Sequence, residues 1–114
     1  MPEPRLYKLP EEVSSQTLKK LLDMLISGIH FTKKQEELIR SEYENWDSAK
    51  ALFRNLNERQ VSVIVLRYGL GSDHLLSQRD VAVYHGMSKS GLRNVQQAAV
   101  KVLRYNLRKA LDRQ

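Results

Sequence analysis

The 114-residue sequence has no cysteine, which excludes a disulfide framework and any thiolate metal site. Proline is confined to Pro2, Pro4 and Pro10, so residues 1–10 read as an extended tail or arm. No apolar run approaches the ~18 residues of a membrane span, and the opening MPEPRLYKLP lacks the apolar stretch of a signal peptide. A cytoplasmic protein without membrane contact is expected. Histidine is sparse, and His30, His74 and His85 fall at no ligand spacing, so neither a metal nor a cofactor is expected. Paired carboxylates, a glycine-rich phosphate loop and a nucleophile–base arrangement are all missing. Catalysis is therefore not expected.

What is present is charge, unevenly placed. With 41% hydrophobic and 28% charged residues, the composition is that of one globular domain. Residues 1–50 carry eight Lys/Arg against nine Asp/Glu, whereas residues 51–114 carry eleven against four. A basic C-terminal half on a near-neutral N-terminal half suits a nucleic-acid partner. The plainer reading is a solvated basic helix end, because cations favour a helix C-terminus in any case.

The apolar spacing predicts helices throughout. A first helix from Glu11 carries Leu18, Leu21, Leu22, Leu25 and Ile29 on one face and ends near Gly28. Thr32 and Gln35 make a capping box for a second helix, with Leu38, Ile39, Tyr43 and Trp46 as its stripe. Asp47 is expected to cap a third, short helix that turns Ala49, Leu52 and Phe53 inward. Asn57 and Gln60 repeat the capping signature for a fourth, whose face is Val61, Ile64, Val65 and Tyr68 and whose end is Gly69. No strand is expected, and the fold class is all-α.

The stretch SQRDVAVYHGMSKSGLRNVQQAAVKVLR, from Ser77 to Arg104, combines two helical patterns. Ser77 caps about two turns, Gly86 supplies the positive φ of a sharp exit, and Ser88 caps the next helix. Leu92, Val95, Ala99 and Leu103 bury one side of that helix, and small Ala82 permits a close crossing. The opposite side shows Lys89, Ser90, Arg93, Asn94 and Gln97. A short helix, a glycine turn and a longer helix with a cationic, amide-rich start describe a helix-turn-helix. Arg pairs with guanine edges, and Asn and Gln with adenine. On pattern alone, a helical hairpin with a solvated polar face is the alternative.

From about Trp46 to Leu107 the chain resembles the fourth conserved region of bacterial sigma factors, in its sporulation-type flavour. The residues that carry the likeness are LNERQVSVIVLRYGL (56–70), SQRDVA (77–82), GMSKS (86–90) and AAVKVLR (98–104), in register and without insertion. The resemblance implies a helix-turn-helix reading the minus-35 element of double-stranded promoter DNA. It places Lys89, Ser90, Arg93, Asn94 and Gln97 at base-facing positions and Ser77, Gln78 and Arg79 near phosphate. Lys101, Arg104 and Arg108, further along the basic helix, are the remaining candidates for phosphate contact. It also implies that the apolar face of residues 56–70 meets the flap of the RNA polymerase β subunit.

Departures from the family pattern qualify this. His85 stands where the family buries Leu or Phe, which suggests a looser core unless the ring finds partners. Gly91 replaces a large residue, through close approach of DNA or through loss of a contact. Val83 is apolar where the family is polar. Residues 11–46 are too short and too poor in aromatic and basic residues to melt a promoter, so the expected layout is a tail (1–10), an N-terminal helical segment (11–46) and the sigma-like domain (47–114). That helical segment completes the core, or else offers a surface for a homodimer or for polymerase. The alternative function is a protein–protein module that mimics a sigma domain to occupy the polymerase flap or an anti-sigma factor, with little DNA affinity.

Overall fold

Every α-helix among the described residues opens on a short polar side chain that closes its own first turn. The computed structural model describes residues 5–71 and 76–113, so His74 lies outside the described residues. Among these residues are six α-helices, one 3-10 helix and no strand. They are α1 (Ser15–Ser27), α2 (Lys33–Glu42), α3 (Trp46–Ala49), the 3-10 helix (Lys50–Phe53), α4 (Glu58–Tyr68), α5 (Gln78–His85) and α6 (Lys89–Asp112). The side chains of Ser14, Thr32, Asn45, Asn57, Ser77 and Ser88 each accept a hydrogen bond from the backbone N–H three residues on. Each such cap stabilises its helix by about 0.5–2 kcal/mol. Thr32 with Gln35, and Asn57 with Gln60, form complete capping boxes.

Four local expectations are corrected. The first helix begins at Ser15 rather than Glu11, because Ser14 is the cap and the Trp46 indole holds the Pro10 carbonyl at 2.9 Å just upstream. The second helix stops at Glu42 with Tyr43 as its C-cap, and Trp46 opens α3 instead. Asn45, not Asp47, caps α3; Asp47 sits in the first turn, where a carboxylate favours the helix dipole. Leu38 is exposed, and Ile39 is the one residue of α2 that is fully buried.

The larger of two buried clusters joins α1, α2, α3, the 3-10 helix, α4 and the second half of α6. It contains Leu18, Leu21, Leu22, Leu25, Ile39, Trp46, Leu52, Phe53, Ile64, Leu103 and Leu107, among others. Residues 11–46 and 47–114 therefore share one core. Leu21 and Leu25 are 1% and 0% exposed, so the leucine stripe of α1 is interior and unavailable as a docking face. Asn106 is buried within this region and donates through Nδ2 to the carbonyls of Leu52 (2.8 Å) and Arg54 (3.1 Å). It thereby braces the connection where Asn55 takes a positive φ of 70°, a conformation that asparagine tolerates better than most residues.

The smaller cluster comprises Val63 of α4, Val81 and Ala82 of α5 and Leu92 of α6, with Leu66, Leu76, Met87 and Val95 packed around it. Helix α6 passes through both clusters. Its 24 residues span roughly 36 Å at 1.5 Å per residue. The described part of the tail is not loose. Tyr7 donates its N–H to Ser62 Oγ at 3.0 Å, and the Tyr84 hydroxyl donates to the Arg5 carbonyl. The rings of Tyr7 and Tyr84 lie 5.5 Å apart between centroids. Among the described residues no helix is long and apolar enough to cross a membrane.

Candidate nucleic-acid interface

Two glycines and two serines determine how α5 and α6 meet. α4 ends on Gly69, with φ +64°, and the Leu70 N–H returns to the Val65 carbonyl at 3.0 Å. α5 ends the same way on Gly86, also at φ +64°, a region that costs glycine nothing and other residues about 1 kcal/mol or more. There the Met87 N–H bonds the Ala82 carbonyl at 2.9 Å and the Gly86 N–H bonds Val83 at 3.1 Å, closing two of the four carbonyls of the last turn. Ser88 then caps α6 by accepting the Gly91 N–H at 3.0 Å. The chain thus passes from α5 to α6 within three residues, and Val81, Ala82 and Leu92 meet in one cluster.

A polar bracket holds α6 from the α4 side. Arg67 donates through Nη1 to the Leu76 carbonyl (2.8 Å) and through Nε to Gln96 Oε1 (3.3 Å). The Gln96 amide donates in turn to the Tyr68 hydroxyl at 3.1 Å. Sequence reasoning missed this bracket, because residues 28 or 29 positions apart carry no mutual signal in a single sequence.

With α6 so fixed, Lys89, Ser90, Arg93, Asn94 and Gln97 are all exposed. Their spacing places them on one side of the first three turns, away from Leu92. Ser90 Oγ lies 3.3 Å from Ser88 Oγ. Among the described residues, no hydrogen bond or ion pair occupies the side chains of Lys89, Arg93, Asn94 or Gln97. Of the expected phosphate-contacting residues, Ser77 and Arg79 are exposed and Gln78 is half-buried, all at the start of α5. Ser77 Oγ is taken by its own cap, the Asp80 N–H at 3.1 Å. Lys101 is exposed on the middle of α6 and has no hydrogen bond or ion pair among the described residues.

Arg104, expected near phosphate, is half-buried and bonded to the end of α1. Its Nε donates to the Leu25 carbonyl and its Nη2 to the Met24 carbonyl, both at 3.0 Å. A guanidinium there supplies donors to carbonyls in the last turn of α1, where the Met24 carbonyl also accepts from the Ser27 hydroxyl at 2.8 Å.

His85 also differs from expectation. It is 5% exposed, yet its Nε2 lies 3.2 Å from Ser62 Oγ, and its ring packs edge-on to Tyr84 at 5.1 Å. No buried side-chain nitrogen or oxygen among the described residues lacks a partner, so the core is not opened by this histidine. Burial pushes the imidazole pKa below its usual value, and the positive charge of Arg59 adds to the shift. Val83 is 74% exposed and stands apart from the arm contact that Tyr84 makes. Residues 56–70 show no exposed large apolar residue, because Val63, Ile64 and Val65 all face inward. The described residues contain no group of three His, Asp or Glu able to hold a metal ion.

Comparison with protein-family models, with curated proteins and with solved structures finds no match for this chain.

Proposed function

We propose that α5 and α6 form a helix-turn-helix that reads double-stranded DNA in the manner of the fourth region of a sigma factor. In this reading the first turns of α6 enter the major groove. Lys89, Ser90, Arg93, Asn94 and Gln97 meet base edges, while the start of α5 (Ser77, Gln78, Arg79) and Lys101 meet the sugar–phosphate backbone. The observation that carries it is the set of exposed, unpartnered Lys89, Arg93, Asn94 and Gln97 side chains at the start of a capped helix. Donors of these types would have to be stripped from internal hydrogen bonds before they could pair with bases; here they are not engaged. Only Asp80 and Asp112 bring negative charge to residues 76–113, so the surface potential favours a polyanion.

The protein would act as a transcription regulator that lacks the promoter-melting region. Action together with RNA polymerase rests on the sequence resemblance, and α4 offers that partner no large exposed apolar residue. For the competing reading, a sigma mimic that binds only protein, the departure at His85 gives no support, because that ring is buried and satisfied, while exposed Val83 remains.

The test is selection of a preferred duplex from random sequence, followed by titration of wild type, Arg93→Ala and Asn94→Ala. A base contact by either residue is expected to cost about 1–3 kcal/mol on the preferred duplex. Asn94→Ala should leave random duplex nearly unaffected, since it removes no charge. Equal losses on both duplexes for Asn94→Ala would remove it from the base-reading set, and no duplex binding at all would overturn the reading.

A further inference from the structure

An open cleft of about 480 Å³ separates the end of α1, the last residue of α4 and the middle of α6. Its lining includes Met24, Tyr68, Gln96, Gln97, Lys101 and Arg104, and none of its lining residues is acidic. Gln97 belongs both to this cleft and to the exposed face of α6, so the two are continuous.

The donors in the cleft are unusually well fixed. Gln96 is clamped between Arg67 and Tyr68. Tyr68 accepts from Gln96, which leaves its own O–H to donate elsewhere. Arg104 uses Nε and Nη2 on the carbonyls of Leu25 and Met24, and Nη1 makes no hydrogen bond among the described residues. Gly28 is the reason that the guanidinium fits: a Cβ at residue 28 would fall 2.1 Å from Arg104 Cζ. The end of α1 therefore sets one positive charge at the edge of the cleft, while Lys101 brings a second that is exposed and unpaired. Two cations and a hydroxyl with no carboxylate among them suit the oxygens of a phosphate.

Position agrees with chemistry. Lys101 follows Arg93 by eight residues, roughly 12 Å along the helix axis. That is about the width of the major groove. With Arg93 at a base edge, Lys101 and the cleft fall where the backbone borders the groove.

We propose that this cleft seats a phosphate of the DNA backbone, with α1 holding the Arg104 guanidinium in place for it. The proposal rests on the DNA-reading assignment of α6 and gives the N-terminal helices a part in it. A free phosphate ion presents the same oxygens, so the experiment has an arm for each source.

In the first arm the full chain is titrated with the preferred and a random duplex over a range of salt. Lys101→Gln is expected to flatten the log–log salt slope by about 0.9 and to weaken both duplexes alike. Gly28→Ala, which leaves Lys101 and the base-facing side chains of α6 untouched, is expected to push the flexible end of Arg104 aside. It should weaken both duplexes alike while the helical circular dichroism stays intact. A wild type that binds DNA normally, with Lys101→Gln and Gly28→Ala matching its affinity and slope, would overturn the phosphate seat alone. Under that outcome Asn94→Ala would still lose preference, so the DNA-reading assignment would stand. Failure of the wild type to bind any duplex would overturn both.

In the second arm inorganic phosphate alone is added while the side-chain amide signals of Gln96 and Gln97 are followed by NMR. No saturable shift is expected at sub-millimolar phosphate. A saturable shift there would make the cleft a site for the free anion and overturn the backbone assignment.

Discussion

The two halves of α6 live under different constraints. Of its six buried residues, five (Ala99, Val100, Leu103, Asn106 and Leu107) lie from residue 99 onward, and only Leu92 lies in the first ten positions. The part from residue 99 onward is gripped by α1, α2, the 3-10 helix and α4, whereas the first ten residues rest on a four-residue cluster, the Arg67–Gln96–Tyr68 bracket and a capping serine. One rigid element thus has a stem, which carries stability, and a tip, whose exposed side chains are free to meet a partner. A binding surface held on a helix whose other end is buried needs no stabilising role of its own, and polar residues accumulate there without damage to the fold.

The largest effect should come from the stem. Leu103 is fully buried in the larger cluster and Leu92 fully buried in the smaller one. Truncation of a buried leucine to alanine costs about 2–5 kcal/mol, more where the surroundings cannot collapse. Leu103→Ala and Leu21→Ala are expected near the upper end and Leu92→Ala near the lower, by urea unfolding. Because Leu21 is interior, its loss should appear as lost monomer stability, not as a dimer becoming a folded monomer in sedimentation. A Leu92→Ala cost exceeding that of Leu103→Ala would break the stem-and-tip distinction.

A middle-sized effect depends on pH. His85 lies at the end of α5 beside the tip, and burial, then Arg59, hold its pKa below 6.5. Tyr84, Ser62 and Arg59 are the groups around it that the structure identifies. The folded state therefore favours the neutral ring, while the unfolded ring protonates near pH 6.5. Above that pH neither state binds the proton and His85 adds no pH dependence. As pH falls through about 6.5 the unfolded state is protonated first, so stability declines, by at most about 1.4 kcal/mol per unit, until the folded pKa is passed. His85→Leu is expected to remove this slope from denaturation midpoints taken between about pH 7 and about pH 5.5. An unchanged slope would show that His85 is not desolvated as described.

Much of the fold was legible because helix ends are local. The capping pairs Thr32–Gln35 and Asn57–Gln60, the caps Ser77 and Ser88, and the left-handed exits Gly69 and Gly86 all follow from residues within four positions of one another. Where two suitable caps stood close together, as Asn45 and Asp47 do, the pattern alone chose the wrong one. The stripe rule also missed Val63, since α4 is buried on two sides, against both clusters. It wrongly placed Leu38 in the core, as a 3.6-residue period cannot show how wide the buried arc is. For the candidate interface, residue types and exposure agree at Lys89, Ser90, Arg93, Asn94 and Gln97. At Arg104 they diverge, because its carbonyl partners are about 80 positions away and are brought near only by the finished core. The His85 partner Ser62 was hidden for the same reason.

The smallest effect falls at the tip, on Gly91, for which the sequence left two explanations open. Glycine inside a helix costs roughly 0.5–1 kcal/mol relative to alanine, so Gly91→Ala should gain that much from the backbone. The added Cβ, however, would sit 3.1 Å from Ser88 Oγ, tighter than ordinary contact, and Ser88 is the cap of α6. Weakening a serine cap costs about 0.5–2 kcal/mol. The two terms offset, and the net change is expected to lie within about 0.5 kcal/mol of zero. Space for the capping hydroxyl is then sufficient reason for a glycine here, and no close DNA approach is required. Base preference and affinity for duplex should accordingly stay as in wild type, because the new methyl meets the cap and not the side bearing Lys89 and Arg93. A loss of about tenfold or more in duplex affinity, some 1.4 kcal/mol, with the melting curve unchanged, would reverse this. The main chain at residue 91 would then itself be a DNA contact, and the tip would owe its glycine to the partner and not to the fold.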